Sequence, residues 1–129
     1  MNTLSLTTLP HYLSVYPMWN RPYYPLIVSA STTLSFLYHS YSESNHVITA
    51  CDYLIALLWA AYDLRLSSRA RYRIVLALNT VIFLINISIA YDKNYVYYHS
   101  FWHLLSATKS LYISHLLQRA PAKQPSLRA

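Results

Sequence analysis

The sequence predicts an all-α fold: an integral-membrane bundle of about four transmembrane helices. Hydrophobic residues make up 55 % of the chain and charged residues only 11 %, where a soluble domain carries about a quarter charged. The apolar residues also fall into long segments parted by short polar connections. Fourteen tyrosines and three tryptophans agree, because amphipathic rings gather at bilayer interfaces. A chain of 129 residues has room for one domain.

Residues 1–24 contain Pro10, Pro17 and Pro22 and no sustained helical period, which predicts an extended or interfacial arm. The arm lacks the basic start, unbroken apolar core and small-residue cleavage site of a signal peptide. A transmembrane domain over residues 25–117 follows, with spans at 25–41, 47–66, 74–91 and 97–117. Each approaches the roughly 17 to 25 residues that cross a hydrocarbon core. Between spans lie a polar, slightly acidic turn at 42–46, a strongly basic segment at 67–73 and a polar turn at 92–94; a basic tail closes the chain at 118–129. By the positive-inside rule the basic segment and both termini face the cytoplasm, and the other two turns face outward or into a lumen.

The net charge of +6 does not point to nucleic acid. Arg65, Arg69, Arg71 and Arg73 cluster in one short loop, Arg119, Lys123 and Arg128 lie in the tail, and no basic stripe interleaves with aromatics. The partners expected are the bilayer and its lipids. Cys51 is the only cysteine, which excludes an internal disulfide and suggests a small packing residue. Glycine is absent, so Ser29, Ala30, Ser31, Ala60 and Ala61 are expected to let helices approach.

The chemistry concentrates in the last span. His99 and His103 stand four residues apart, so a helix projects both imidazoles from one face, where they can share a metal ion. Ser35 and His39 lie near the outer end of the first span and Asp52 near the outer start of the second. At about 1.5 Å per residue, all five fall within roughly 10 Å of one surface. A single membrane histidine is often only interhelical polar glue. Five polar groups at one depth favour a site, because ionisable groups inside a membrane are costly. Three histidines suit zinc with a fourth position open to water, whose pKa zinc lowers to about 7. Asp52 is then the acceptor of that water's proton, and Ser35 a donor to an oxyanion.

Other polar residues carry blander expectations. His11, His46 and His115 read as solvated or interfacial. Lys109 lies off the His99/His103 face, to snorkel or pair; Asn79 and Asn86 read as helix-packing contacts; Asp63 reads as a surface ion-pair partner of Arg65. The Asn86-Ile87-Ser88 sequon falls inside a span, where glycosylation is not expected.

The order Ser35-x-x-x-His39, Asp52 on the next span, and Asn94-Tyr95 followed by His99-Ser100-Phe101-Trp102-His103 resembles the CREST superfamily of membrane hydrolases, specifically its transmembrane protein 8 and myomaker branch. The resemblance covers residues 32 to 117. It implies zinc held by His39, His99 and His103, with Asp52 and Ser35 around its water, and hydrolysis of a lipid amide or ester. The superfamily has seven spans where this sequence shows four, and the Cys-Asp pair frequent after the first histidine is Ser40-Tyr41 here. Three functions therefore stand open: a zinc-dependent lipid hydrolase, a non-enzymatic myomaker-like or receptor-like protein with structural zinc, and a small haem protein. The last leaves Ser35 and Asp52 without a role.

Overall fold

The computed structural model describes residues 3–41, 44–89 and 93–118. Expectations for the tail beyond Gln118, and for Ser42, Glu43, Tyr91 and Asp92, lie outside those residues. Among the described residues all regular structure is helical: α1 (Thr3–Thr8) runs into a 3-10 helix (Leu9–Met18), followed by α2 (Tyr24–Tyr41), α3 (His46–Leu66), α4 (Arg69–Ile89) and α5 (Tyr95–Gln118).

The last four helices stand where the apolar segments placed them, with local reasons for their starts. Asn45 is extended and its side chain accepts from the backbone N–H groups of Val47 and Ile48, at 3.0 and 3.3 Å, which caps α3. In this glycine-free chain the turn into α2 puts Tyr23 at φ 65°, a left-handed conformation that a tyrosine adopts at a cost. The basic segment is not a loop: Arg69, Arg71 and Arg73 form the first turns of α4, and Ser67 and Ser68 alone make the connection.

The N-terminal arm departs most from expectation, being helical rather than extended. Ser5, Thr8, His11, Ser14 and Pro17 recur every third residue and all are buried, which matches the three residues per turn of a 3-10 helix. Side chains reach back to carbonyls three residues earlier: Thr8 Oγ1 to Ser5 at 2.7 Å, His11 Nδ1 to Thr8 at 2.8 Å and Ser14 Oγ to His11 at 2.8 Å. Buried polar side chains are thus satisfied locally. Pro10 sits in the first turn, where a missing N–H removes no helical bond.

This arm packs most extensively against α5, whose buried face carries Ser106, Ala107, Ser110 and Ser114. Small side chains on both partners let the two backbones approach. That role falls here rather than to the five residues expected, of which only Ser31 is buried, while Ala61 is exposed. Cys51 is exposed too, which does not fit the packing role expected of it.

The arm runs antiparallel to α2. Ser40 Oγ donates to Ser5 Oγ at 2.8 Å, and Tyr12 and Thr33 share a hydroxyl bond of 2.8 Å. Thr3 consequently lies at the end of the bundle where α2 finishes. The close of α5 lies at the other end, where the Arg71 guanidinium donates to the Leu116 carbonyl. The described ends of the chain, Thr3 and Gln118, therefore lie at opposite ends of the bundle.

An apolar core of Val15, Met18, Tyr24, Val28, Trp59, Val75, Ile113 and Leu117 fills the end near the arginines. Helices α3 and α4 contribute little to it: Trp59 and Asp63 are the buried residues of α3, and Val75, Ile82 and Asn86 those of α4. Leu54, Leu58, Val81, Leu84 and Ile87 are exposed instead. These two helices are long and apolar enough to cross a membrane, with mean hydropathy 1.5 and 1.8.

Candidate metal centre

Two helices bring the centre together. His39 comes from the last turns of α2, His99 and His103 from the second and third turns of α5, and all three are buried, at 3, 7 and 2 % exposure. One ligand nitrogen from each lies within 4.8 Å of the others. The tightest approach is between the Nε2 atoms of His39 and His103, 3.0 Å apart. Two nitrogens so placed either share one proton or both present lone pairs to a cation. The convergence read from the sequence is present, and the three histidines can hold a metal ion.

Aromatic neighbours set the ring planes. His99 lies between Tyr95, stacked at 4.7 Å, and Trp102, stacked at 5.1 Å. Those partners sit four residues before and three after it, positions that share a helix face. Trp102 is itself fixed by an indole N–H donated to the Ile82 carbonyl of α4 at 2.8 Å. The Nδ1 atoms of His99 and His103 are buried without a hydrogen-bond partner among the described residues.

The histidines form one wall of a cavity of about 670 Å³ reaching across α2, α3, α4 and α5. Ser35 and Asp52 are half-buried and line the same cavity, so all five residues read from the sequence open onto one space. The volume falls within the roughly 300 to 1,000 Å³ of small-molecule sites. Apolar side chains of α3 and α4, such as Leu57, Leu76 and Phe83, supply much of the lining.

Three residues occupy places the sequence did not suggest. His11 is buried and lines the cavity, its ring 6.1 Å from that of His103 and 5.8 Å from that of Trp59. Its signal was the three-residue spacing with Ser5, Thr8 and Ser14, a period belonging to neither α-helix nor strand. Asp63 is fully buried, while Arg65, two residues on and across the helix, is exposed. The expected surface ion pair is not formed, because Asp63 shares the inward face with Trp59, one turn earlier. Lys109 also turns inward, donating to Asn79 Oδ1 at 3.0 Å with its ammonium 5.7 Å from the centre of the Trp59 ring.

Other polar residues stand as read. His46 and His115 are exposed. Asn79 and Asn86 join α4 to its neighbours, the latter donating to the Tyr53 hydroxyl at 3.1 Å.

No family model, curated protein or solved structure matches the chain.

Proposed function

We propose that the chain is a multi-pass membrane protein whose His39, His99 and His103 hold a zinc ion and which hydrolyses a lipid amide or ester. The observation carrying this reading is three buried imidazoles, from helices about 60 residues apart in sequence, meeting on the wall of a mostly apolar cavity. Neutral imidazole is the commonest ligand type for zinc, and a three-histidine set leaves an open position. Ligand bonds of about 2.0 to 2.1 Å in tetrahedral geometry put nitrogens about 3.3 Å apart. The 3.0 Å between the Nε2 atoms of His39 and His103 is near that spacing.

When bound, zinc supplies Lewis-acid activation of water and of an acyl carbonyl. The chain's own residues do the rest. Asp52, on the cavity wall, accepts a proton from the attacking water, and Ser35, one turn before His39, donates to the oxygen that gains charge. Outward apolar side chains of α3 and α4 face lipid, and the apolar lining between them admits an acyl chain. The order of these residues is that of the CREST superfamily, to which we assign the chain as a shortened member.

All four long helices cross the bilayer in this reading, although α2 and α5 are less apolar than α3 and α4. Eight of their polar residues, Ser31, Thr32, His39, His99, His103, Ser106, Ser110 and Ser114, are buried away from lipid, while the exposed hydroxyls of Thr33 and Thr108 bond to Tyr12 and to the Leu104 carbonyl. The arginines of α4 face the cytoplasm, which sets the histidines near the extracellular or luminal side.

Release of fatty acid from a panel of ceramides and phospholipids by the purified, zinc-loaded protein tests the proposal. Turnover that disappears with His103→Ala supports it. A zinc-loaded parent inactive on the whole panel favours the myomaker-like reading, in which zinc ties α2 to α5 and nothing is hydrolysed.

A further inference from the structure

The cavity has a second polar pole. Its histidines lie at one end, and Lys109 follows His103 by six residues, about 9 Å further along α5. Trp102, Ser106 and Lys109 stand at i, i+4 and i+7 and share the face of α5 turned to α4. There the Trp102 indole meets the Ile82 carbonyl and the Lys109 ammonium meets Asn79. All three residues line the cavity.

The ammonium has donors to spare. It carries three N–H groups and makes one hydrogen bond among the described residues, to Asn79 Oδ1 at 3.0 Å. The Trp59 ring, 5.7 Å from Nζ, eases the charge. Asp63 acts on the lysine electrostatically, but its carboxylate takes no hydrogen bond from it and does not border the cavity. Asp52, the acid that does line the cavity, precedes Trp59 by seven residues, about 10 Å along α3, and so belongs to the histidine end. Ser106 adds a hydroxyl that no other described residue engages. A cation and a hydroxyl with unused donors, on the wall of a mostly apolar cavity, are complementary to an anion.

The cavity opens beside this pole. Leu57 of α3 and Leu76 and Phe83 of α4 line it and are nevertheless 53, 43 and 41 % exposed, which places them on its rim. The two helices are tied at one end by the Asn86 bond to Tyr53 and at the other by the Ser67–Ser68 connection. Between those ties Asn79 stands between Leu76 and Phe83, and Trp59 follows Leu57 by two residues, so the rim is level with Lys109. A ligand whose charged end rests on Lys109 can pass an alkyl tail out between α3 and α4, which in the membrane reading leads directly into lipid.

We propose that Lys109 and Ser106 form an anion subsite, apart from the histidine centre, for the head of a single-chain lipid, a carboxylate or a phosphate monoester, whose tail leaves the cavity between α3 and α4. The free N–H groups of Lys109 and the Ser106 hydroxyl donate to the head, and Asn79 holds the ammonium in place. The inference goes beyond the hydrolase reading and uses the cavity alone, without the metal.

Equilibrium binding to the metal-free full chain in a neutral maltoside detergent tests it, with palmitate, hexadecyl phosphate, hexadecanol and inorganic phosphate as probes. One of the two anionic lipids should bind at about one per chain and about 10- to 100-fold more tightly than hexadecanol. Lys109→Met should abolish that preference, Lys109→Arg should keep most of it, and Ser106→Ala should lower it about 3- to 10-fold. Palmitate carrying a mid-chain diazirine should label residues 57–61 and 76–83. Hexadecanol binding as tightly as both anionic lipids to the parent overturns the proposal, a result that needs no variant to fold. So does a preference that survives in a folded Lys109→Met, or labelling confined to Leu54 and Leu84 on the outer surface. Inorganic phosphate that competes as well as hexadecyl phosphate also overturns it, since the site would then hold a free ion and no lipid. Because zinc and turnover enter none of these readouts, a chain that binds no metal can still uphold the subsite.

Discussion

At the scale of single residues, the proposed centre separates residues that would hold the metal from those that would act on the metal's water. His103 is 2 % exposed and faces His39, so His103→Ala removes a ligand and opens a void between α2 and α5. Zinc affinity should fall by more than about 100-fold, beyond what loss of an outer partner costs. The melting temperature of the zinc-loaded protein should fall with it. Asp52→Asn keeps the size and hydrogen-bonding reach of the side chain but cannot take a proton. It should therefore leave zinc content and melting temperature at parent values while fatty-acid release drops about 10²- to 10⁴-fold. Unchanged turnover in Asp52→Asn would remove Asp52 from the reaction. The meeting of the three histidines on one cavity was legible in the sequence because the i, i+4 spacings of Ser35/His39 and His99/His103 fix a shared face whatever the helix packs against. Asp63 and His11 were not, because which side of a helix is buried depends on neighbours that the local sequence does not name.

At the scale of elements, the four long helices could be read from apolar runs and polar breaks, whereas the N-terminal arm could not. Its residues Ser5, Thr8, His11 and Ser14 are polar, and polar residues signal burial only when their partners are known. The partner is α5, whose small face meets it. Ser110 on that face is fully buried and its hydroxyl has no hydrogen-bond partner among the described residues. Ser110→Ala should thus be neutral or slightly stabilising, since it removes an unsatisfied polar group. Ser110→Leu should destabilise by about 1–3 kcal/mol, because the added atoms have no space between the arm and α5. Unfolding of both variants in detergent checks this. A tolerated leucine would mean that the arm does not seat against α5 in solution.

At the scale of the whole molecule, the length of the arm bears on the topology that the charge pattern suggests. Six α-helical and ten 3-10 residues extend about 29 Å, close to the roughly 30 Å of a hydrocarbon core. Running antiparallel to α2, the arm starts at the end of the bundle that holds the histidines, and under the proposed membrane reading it would cross beside the other helices. In a Cys51→Ser background, a cysteine at Ser68 should be labelled from the cytoplasmic side only, and cysteines at Ser44 and Thr3 from the opposite side only. A Thr3 probe labelled together with Ser68 would return the arm to the interface. The central claim is nevertheless the centre itself, three imidazoles from α2 and α5 on one ion. Elemental analysis of protein loaded with zinc and passed through a desalting column tests it most directly, comparing the parent with His39→Ala. The parent should hold about one zinc per chain and the variant almost none; an empty parent, or a His39→Ala protein that keeps its zinc, would contradict a three-histidine centre.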